Sequence, residues 1–186
     1  TVIVAPRRYG KSSLIKQVLI ESKIPGRRID LLAVTNTTYV QKAIKKAVSD
    51  LINEIAPKTK KAKLALIGFI KKVHPKLTFN LLGQQLEISA SQSPESSITE
   101  LLVGLNTAAE KTKKRVVLCF DEFQQVGLLS NNHSLEASIR HAAESSTHVT
   151  YSFSGSSRHL LSQMFSEKSR PLYHLCNLMK LERIKE

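Results

Sequence analysis

The chain opens with a strand–loop–helix pattern, VIVAPRRYGKSSLIKQVLI. The apolar run from Val2 to Val4 predicts a strand, and apolar residues at helical spacing after the loop predict a helix. The loop ends in Gly10-Lys11-Ser12, the last three residues of the pattern G-x-x-x-x-G-K-[ST]. In such an arrangement the N–H groups of the loop and the helix start point at one spot, where the helix dipole attracts an anion. The sequence therefore predicts a phosphate-binding loop.

Each residue type in this loop suits one part of a nucleotide. Gly10 lets the backbone approach the phosphates closely, Lys11 can reach the β- and γ-phosphates as a mobile charge, and Ser12 can ligate Mg²⁺. Ala5 stands where the pattern has its first glycine, and it fits if its φ is negative, in an extended conformation that Pro6 favours. The candidate nucleotide-binding residues are Ala5, Pro6, Arg7, Arg8, Tyr9, Gly10, Lys11, Ser12 and Ser13.

A second apolar run, RVVLCF, ends in two carboxylates. A buried strand that delivers Asp121 at its carboxyl end would place it beside the phosphate loop, where it can hold Mg²⁺ directly or through water. Glu122 is expected to point to the other side of the strand end and to polarise an attacking water. Ser12 and Asp121 are therefore the candidate metal ligands, and Glu122 is the first candidate catalytic residue.

A third apolar run, VTYSF, ends in small hydroxyl residues. A polar side chain at the tip of an adjacent strand can sense the γ-phosphate or orient the attacking water. Ser154 and Ser156 are the candidates for this role. The alternative interpretation is that Ser156 or Ser157 caps the helix that follows.

Apolar runs and helical patterns alternate along most of the chain, which predicts βαβ crossovers. We expect a single α/β domain over residues 1–186, with a mostly parallel central sheet and helices on both faces. The first helix should bury Leu14, Ile15, Val18 and Leu19, and the run RIDLLAVTN predicts a second buried strand. Residues 57–92, roughly, break the alternation and are interpreted as an insertion containing a helix and a β-hairpin.

The formal net charge of +13 is unusually high and suggests a nucleic acid or another anionic partner. The lysines are dispersed in pairs and triplets, however, as on solvated helix faces. Arg7 and Arg8 either add charge beside the phosphate loop or belong to a solvated loop. DNA and another protein are the candidate partners for the basic surface.

Cys119 and Cys176 form neither a disulfide framework nor a metal-ligand pattern, which predicts a reducing compartment, the cytoplasm. No apolar run is long enough for a membrane span, so a membrane partner is not expected. The first strand begins at the second residue of a chain without a starting methionine. We therefore expect a piece of a longer protein.

Four segments in this order carry a family likeness: APRRYGKSSL, LCFDEFQQV, FSGSSRHLLSQMF and SRPLYHLCNLMKLERI. Together they resemble the archaeal-type ATPase family, which belongs to the STAND branch of P-loop NTPases and has an AAA+-like core. The resemblance covers the strands and motif loops near both ends of the chain and leaves the middle unassigned. It implies a three-layer P-loop NTPase fold, binding of ATP with Mg²⁺, and slow or regulated hydrolysis.

The same resemblance implies residue roles. Lys11 would bind phosphate, Asp121 would hold Mg²⁺ and Glu122 would be the catalytic carboxylate, while the serines around Gly155 fall where a sensor residue is expected. Arg170, in SRPLY, lies near the place of an arginine finger, a catalytic residue that acts on a neighbouring subunit and implies a homo-oligomer. Family members usually continue into a helical lid and a winged-helix-like domain, and this chain is expected to lack both.

Two functions from different classes stay open at this point. The first is a Mg-dependent ATPase or molecular switch, which Glu122 favours. The second is a nucleotide-gated nucleic-acid-binding module with negligible hydrolysis, which the positive charge favours. A small-molecule kinase on the same loop fits less well, because no acceptor-site signature follows the loop.

Overall fold

A parallel β-sheet lies at the centre of the fold. The computed structural model describes residues 1–6, 8–75, 77–79, 86–88 and 94–182. Its strands are β1 (Val2–Val4), β2 (Gly26–Asp30), β3 (Leu77–Phe79), β4 (Leu86–Ile88), β5 (Val116–Asp121), β6 (Val149–Gly155) and β7 (Leu178–Lys180). The main sheet has the order β2-β5-β6-β1-β7, and every neighbouring pair in it is parallel. A separate antiparallel pair joins β3 to β4.

Helices supply the crossovers that parallel neighbours require. They are α1 (Lys11–Ser22), α2 (Thr37–Ile55), α3 (Lys60–Val73), α4 (Pro94–Lys111), α5 (Asn132–Ser145) and α6 (Arg158–Ser166), with a 3₁₀ helix over Phe123–Leu128. Across the described ranges, no helix combines the length and the apolar character needed to cross a membrane.

The two faces of the sheet are covered unequally. Successive strand residues point to opposite faces, so Phe120 of β5 packs into the larger core whereas Cys119 packs into a smaller one. Residues of α2, α4, α5 and α6 belong to the larger core. On the other face, Ile15 of α1 packs with Ile3 and Cys119. The result is a three-layer α/β architecture.

The larger core is built from helices with regular apolar stripes. The side chain of Asn36 caps α2 by accepting a hydrogen bond of 3.1 Å from the Tyr39 N–H. Apolar residues then recur every three or four positions, so one face of the helix is buried along its length. The fully buried stripe of α4 comprises Ile98, Leu101, Leu102, Leu105, Ala108 and Ala109.

Four phenylalanines meet beneath the ends of β5 and β6. Phe120 and Phe153 are partners in the strand register, and their rings stack with centroids 5.5 Å apart. The Phe123 and Phe165 rings lie 4.7 Å and 5.2 Å from that of Phe153. Because burying one such ring contributes about 1.5–3 kcal/mol, this cluster fixes the turn that follows Asp121.

The structure confirms the predicted parallel sheet with flanking helices. The runs before Asp121 and Ser154 are β5 and β6, and the predicted hairpin is present as β3 and β4, with Leu77 opposite Ile88. The middle of that hairpin, around Gly83, lies outside the described residues. That residues 57–92 are an insertion stays an interpretation.

Two local predictions are wrong in part. The predicted strand RIDLLAVTN ends at Asp30, because the Asp30 side chain accepts a hydrogen bond of 3.0 Å from the Leu32 N–H and turns the chain. On α1, Ile15 is buried as predicted, but Leu14 and Val18 are exposed. The sheet contacts only the stripe of α1 that contains Ile15, and the neighbouring stripe faces outward.

An ion pair joins the segment after α6 to α5. Glu136 is fully buried, and its carboxylate accepts a hydrogen bond from Arg170 Nη2. Arg170 Nη1 also lies 3.3 Å from His133 Nε2. Burial raises the pKa of the Glu136 carboxyl to about 7, although the charge of Arg170 opposes the rise. To act as an arginine finger, Arg170 would have to leave this partner.

We expect Glu136→Gln to gain stability relative to the wild type as the pH rises. The pKa of Glu136 in the folded protein lies above the ordinary value of 4.5. Between these two pH values the folded protein therefore binds more protons than the unfolded chain. The contribution of Glu136 to the free energy of unfolding falls as the pH rises through this window. Glutamine mimics the protonated form and does not titrate. Urea unfolding at a series of pH values should show the difference changing by about 1–3 kcal/mol.

The control is Glu144→Gln, which removes an exposed carboxylate paired with Arg140 on the same helix. It should change the pH profile much less than Glu136→Gln. Parallel pH profiles for the wild type and Glu136→Gln would contradict a raised pKa of Glu136.

Candidate functional site

The loop between β1 and α1 has the backbone geometry of an anion site. Gly10 precedes α1 with φ 76°, a left-handed conformation that favours glycine. Arg8 is left-handed as well, whereas Ala5 is not, so alanine meets no such strain at the place of the pattern's first glycine. The first turn of α1 carries no acidic residue. The first turn itself therefore adds no negative charge at the positive end of the helix dipole.

The Lys11 ammonium is held inside this loop. Its Nζ donates hydrogen bonds to Ala5 O at 2.9 Å and Pro6 O at 3.0 Å, and the side chain is buried. An ammonium has three donors, so one is left beyond these bonds to described residues. The sequence predicted a mobile charge, and the structure shows one that is tethered to the loop carbonyls.

An open cleft of about 460 Å³ lies over the loop. This volume is within the usual range for small-molecule sites. Tyr9 is exposed and Pro6 is half-buried, and neither lines the cleft. Arg7 lies outside the described residues. The lining consists of Arg8, Gly10, Lys11, Ser12, Ser13, Leu32 and Glu122.

Asp121 is the centre of a buried polar network. Its Oδ2 accepts hydrogen bonds of 2.6 Å from both Ser12 Oγ and Arg28 Nη1. Its Oδ1 accepts a bond of 2.5 Å from Ser154 Oγ and one of 3.1 Å from the Glu122 N–H. Burial by itself would raise the pKa of Asp121, but the bonds from Ser12, Ser154 and Arg28 outweigh it and lower the pKa. Asp121 is therefore ionised at neutral pH.

The strand register explains why these side chains meet. β6 lies between β1 and β5, so Asp121 is not on the strand next to the phosphate loop. Phe120 pairs with Phe153, which puts Asp121 and Ser154 side by side on the face covered by α1. Arg28 pairs with Cys119, two residues before Asp121 and on the same face. The first turn of α1 adds the Ser12 hydroxyl from the loop side.

Glu122 lies on the cleft wall in a strained conformation. Its φ of 53° and ψ of 40° are left-handed, which costs a non-glycine residue about 1–3 kcal/mol. This turn, rather than simple alternation along a strand, separates its side chain from Asp121. Oε2 of Glu122 accepts hydrogen bonds of 2.5 Å from Gln124 Nε2 and 2.8 Å from Ser156 Oγ. The carboxylate is thus held through one oxygen.

Gln124 reaches this position because Gly155 has no side chain. A Cβ on Gly155 would lie 1.9 Å from Gln124 Oε1 and 2.8 Å from Leu161 Cδ1. Gly155 ends β6 directly before Ser156. The end of β6 therefore positions Glu122 in two ways. The Gly155 backbone packs closely against Gln124, which binds Glu122, and the Ser156 hydroxyl binds Glu122 directly.

The two serines predicted as sensors each hold a different carboxylate. Ser154 is fully buried and binds Asp121, whereas Ser156 binds Glu122. Contact of either hydroxyl with a phosphate or a water stays a prediction. Ser157 occupies the N-cap position of α6, but its side chain makes no capping hydrogen bond.

The remaining candidate groups are metal-binding clusters, the cysteine in β5 and Arg170. Within the described ranges, no group of three or more His, Cys, Asp or Glu side chains is arranged to hold a metal. Burial raises the pKa of the Cys119 thiol to about 11, and the Asp121 charge adds to the rise, so the thiol stays protonated. Arg170 does not line the cleft, and its action on a neighbouring subunit stays a prediction.

Sequence reasoning missed three site residues: Arg28, Leu32 and Gln124. Gln124 stands two residues after Glu122, and that proximity was an available signal. Arg28 and Asp30 share one face of β2 by simple alternation. That this face adjoins Asp121 follows only from the pairing of β2 with β5, which local sequence does not contain.

No protein-family model matches the chain, and no curated protein matches it. Among solved structures, the Walker-type ATPase paby2304 of Pyrococcus abyssi superposes with a TM-score of 0.62 at 22% identity, over 97% of this chain and 48% of that chain. The Aeropyrum pernix ORC2 protein, in ADPNP–ADP complexes, superposes with a TM-score of 0.52 at 12% identity, over 97% of this chain and 40% of that one. The chain thus spans less than half the length of either protein. It has the α/β fold of P-loop ATPases.

Proposed function

We propose that the chain binds ATP with Mg²⁺ and hydrolyses it, as an ATPase or a nucleotide-dependent molecular switch. The observation that carries this proposal is the 2.6 Å contact between Ser12 Oγ and Asp121 Oδ2. It joins the phosphate loop to the end of β5 through the two oxygen donors that hold Mg²⁺ in P-loop NTPases. The nucleotide complexes of the ORC2 neighbour also support a nucleotide as the ligand.

The phosphates would lie at the start of α1. Gly10 permits close approach of the backbone, and the N–H groups of the first helical turn point toward the cleft. Lys11 adds a charge at the centre of the loop, and the Arg8 side chain lines the cleft beside it. Two cations and the helix dipole would together stabilise a polyanion at this position.

Ser12 and Asp121 fit a magnesium ion. Mg²⁺ prefers oxygen ligands and takes only one or two from carboxylates, the others coming from water and phosphates. Asp121 is kept ionised by its hydrogen bonds, and no larger carboxylate cluster occurs in the described part of the chain. Mg²⁺ bound here would neutralise charge on the β- and γ-phosphates.

Glu122 would accept the proton of the attacking water. Ser156 and Gln124 bind Oε2, and Oε1 would be the oxygen that takes the proton. As the water oxygen attacks the γ-phosphorus, its proton passes to the Glu122 carboxylate, and the bond from phosphorus to the β–γ bridging oxygen breaks. Ser156 and Gln124 are positioning residues for Glu122, as Ser154 is for Asp121.

Three further proposals concern the family, the cellular compartment and the oligomeric state. Membership of the archaeal-type ATPases of the STAND branch is supported by the four sequence segments given above. The free cysteines Cys119 and Cys176 favour a reducing compartment such as the cytoplasm. A homo-oligomer in which Arg170 reaches a neighbouring subunit's nucleotide is also proposed.

A second candidate function, nucleotide-gated nucleic-acid binding, is favoured by the basic surface. This surface lies where α3 begins and α4 ends, beside a groove of about 410 Å³. The end of α4 leads into the start of β5. The basic surface therefore lies where the strands begin, opposite the strand ends that adjoin the phosphate loop. None of its cations forms an ion pair with another described residue. The basic surface comprises Lys58, Lys60, Lys61, Lys63, Lys111, Lys113, Lys114 and Arg115.

The lysines at the start of α3 stand at the unfavourable end of the helix dipole. Cations near a helix N-terminus are destabilising, and the first turn of α3 carries no acidic residue to offset Lys60 and Lys61. An anionic ligand would relieve this repulsion. The phosphates of DNA or an acidic segment of another protein have the required charge.

We expect Glu122→Gln to bind Mg-ATP as tightly as the wild type and to lose about 10²-fold or more in turnover, the scale of general-base assistance. Glutamine keeps the shape of Glu122 but accepts no proton. Binding is measured as the rise in melting temperature with Mg-ATP. Lys11→Ala is the control, which should lose that rise because it lacks the phosphate charge. Turnover of Glu122→Gln at the wild-type rate would remove Glu122 from catalysis.

We expect Arg170→Ala to be rescued in mixtures if Arg170 acts on a neighbouring subunit. An arginine finger spreads its charge over the phosphate oxygens and is worth about 10³-fold or more. Mixing Arg170→Ala with Lys11→Ala subunits should restore part of the ATPase rate, since one supplies an intact phosphate loop and the other an intact arginine. No rescue at any mixing ratio would leave Arg170 as the partner of Glu136 only.

If the basic surface binds DNA, the affinity for duplex DNA should fall steeply with salt as counterions are released. The double variant Lys60→Gln with Lys61→Gln should weaken binding and lower the salt slope. The double variant Lys71→Gln with Lys72→Gln removes the same charge at the other end of α3 and should change both less. Absence of binding at low salt in a mobility-shift titration would contradict this function.

A further inference from the structure

The positively charged Arg28 side chain contacts the carboxylate of Asp121, which we propose as a metal ligand. Its Nη1 donates a 2.6 Å hydrogen bond to Asp121 Oδ2, the same oxygen that accepts the Ser12 hydroxyl. Its Nη2 lies 3.2 Å from Asp30 Oδ2. The guanidinium thus bridges a buried carboxylate and an exposed one.

A guanidinium and a divalent cation compete for this oxygen. A carboxylate oxygen accepts about two hydrogen bonds, and on Oδ2 these come from Ser12 and Arg28. A cation held between Ser12 and Oδ2 would stand a few ångströms from the guanidinium, where like charges repel strongly in a partly buried site. One of the two cations must therefore leave Oδ2.

Arg28 is the partner of Asp121 that can leave. Its side chain is 39% exposed, and its second partner, Asp30, is 49% exposed. By turning toward Asp30 and solvent, Arg28 would keep one ion pair and bury no charge. Ser154 is fully buried, by contrast, and binds the other oxygen, Oδ1, so it does not compete for Oδ2.

We infer that Arg28 is a displaceable counter-ion of the metal site, which neutralises Asp121 until a divalent cation takes its place. This inference rests on the proposed function, because it takes Asp121 as a metal ligand. Arg28 lowers the affinity for free divalent cations and couples their binding to a rearrangement at the end of β2. Asp30, to which Arg28 would turn, also holds the Leu32 N–H, and Leu32 lines the cleft.

The experiment measures binding of Mn²⁺, a magnesium substitute visible by electron paramagnetic resonance, with and without ADP. Arg28→Gln should bind Mn²⁺ about tenfold more tightly than the wild type, the scale of one hydrogen bond to a charged group. The control is Arg27→Gln, on the same strand and similarly exposed, whose guanidinium pairs with Asp50 and Glu54 instead. It removes the same net charge and should change the affinity less than twofold, roughly, as expected for a distant exposed charge.

The outcomes separate this inference from the proposed function. If the wild type binds Mn²⁺ and Asp121→Asn abolishes the binding, the metal site stands. Equal or weaker binding by Arg28→Gln would then overturn the inference alone, as would equal tightening by Arg27→Gln, which would be an effect of net charge. If no variant binds Mn²⁺ through Asp121, both the metal site and the inference fail.

A second variant guards against loss of folding in Arg28→Gln. Arg28→Lys keeps the positive charge but replaces the planar fork by a single ammonium. Its Mn²⁺ affinity should lie between those of the wild type and Arg28→Gln if the latter folds. If Arg28→Gln does not fold, tighter Mn²⁺ binding by Arg28→Lys supports the inference, and an unchanged affinity overturns it.

Discussion

The arrangement of the site depends on the buried carboxylate of Asp121. A carboxylate that is 2% exposed is costly unless its oxygens are paired and hydrogen-bonded. Its partners come from α1, β2, β6 and the turn after β5. These four elements must therefore meet at one point, and the phosphate loop, the strand order and the cleft are parts of a single constraint.

The fold gives two adjacent carboxylates different environments. Asp121 continues β5 and is bonded through both oxygens, which lowers its pKa and suits its proposed role as a metal ligand. Glu122 leaves the strand through a left-handed turn and is bonded through one oxygen at the cleft wall. Assignment of different roles to neighbouring carboxylates is a recurrent result of such differences in environment. Here the difference comes from one backbone turn, which the phenylalanine cluster beneath it holds in place.

The sequence predicted the alternation of strands with helices, because helical and strand periodicity are local properties. The apolar runs before Asp121 and Ser154 form β5 and β6, as that periodicity indicates. Prediction failed where side chains compete with the backbone or where neighbours decide burial. Asp30 ends β2 early by accepting the Leu32 N–H, and α1 leaves Leu14 and Val18 exposed because the sheet contacts only one of its stripes.

The sequence by itself determined the side chains available at the site: Lys11 and Ser12 at the start of a helix, and two carboxylates at a strand end. It could do so because each motif lies within a few consecutive residues. The tertiary structure decided which groups act on one another. Arg28 contacts Asp121 only because β2 pairs with β5, and Ser154 does so only because β6 lies between β5 and β1. Such contacts join residues far apart in the chain, and they depend on which strands lie side by side, which the pattern within a single strand does not state.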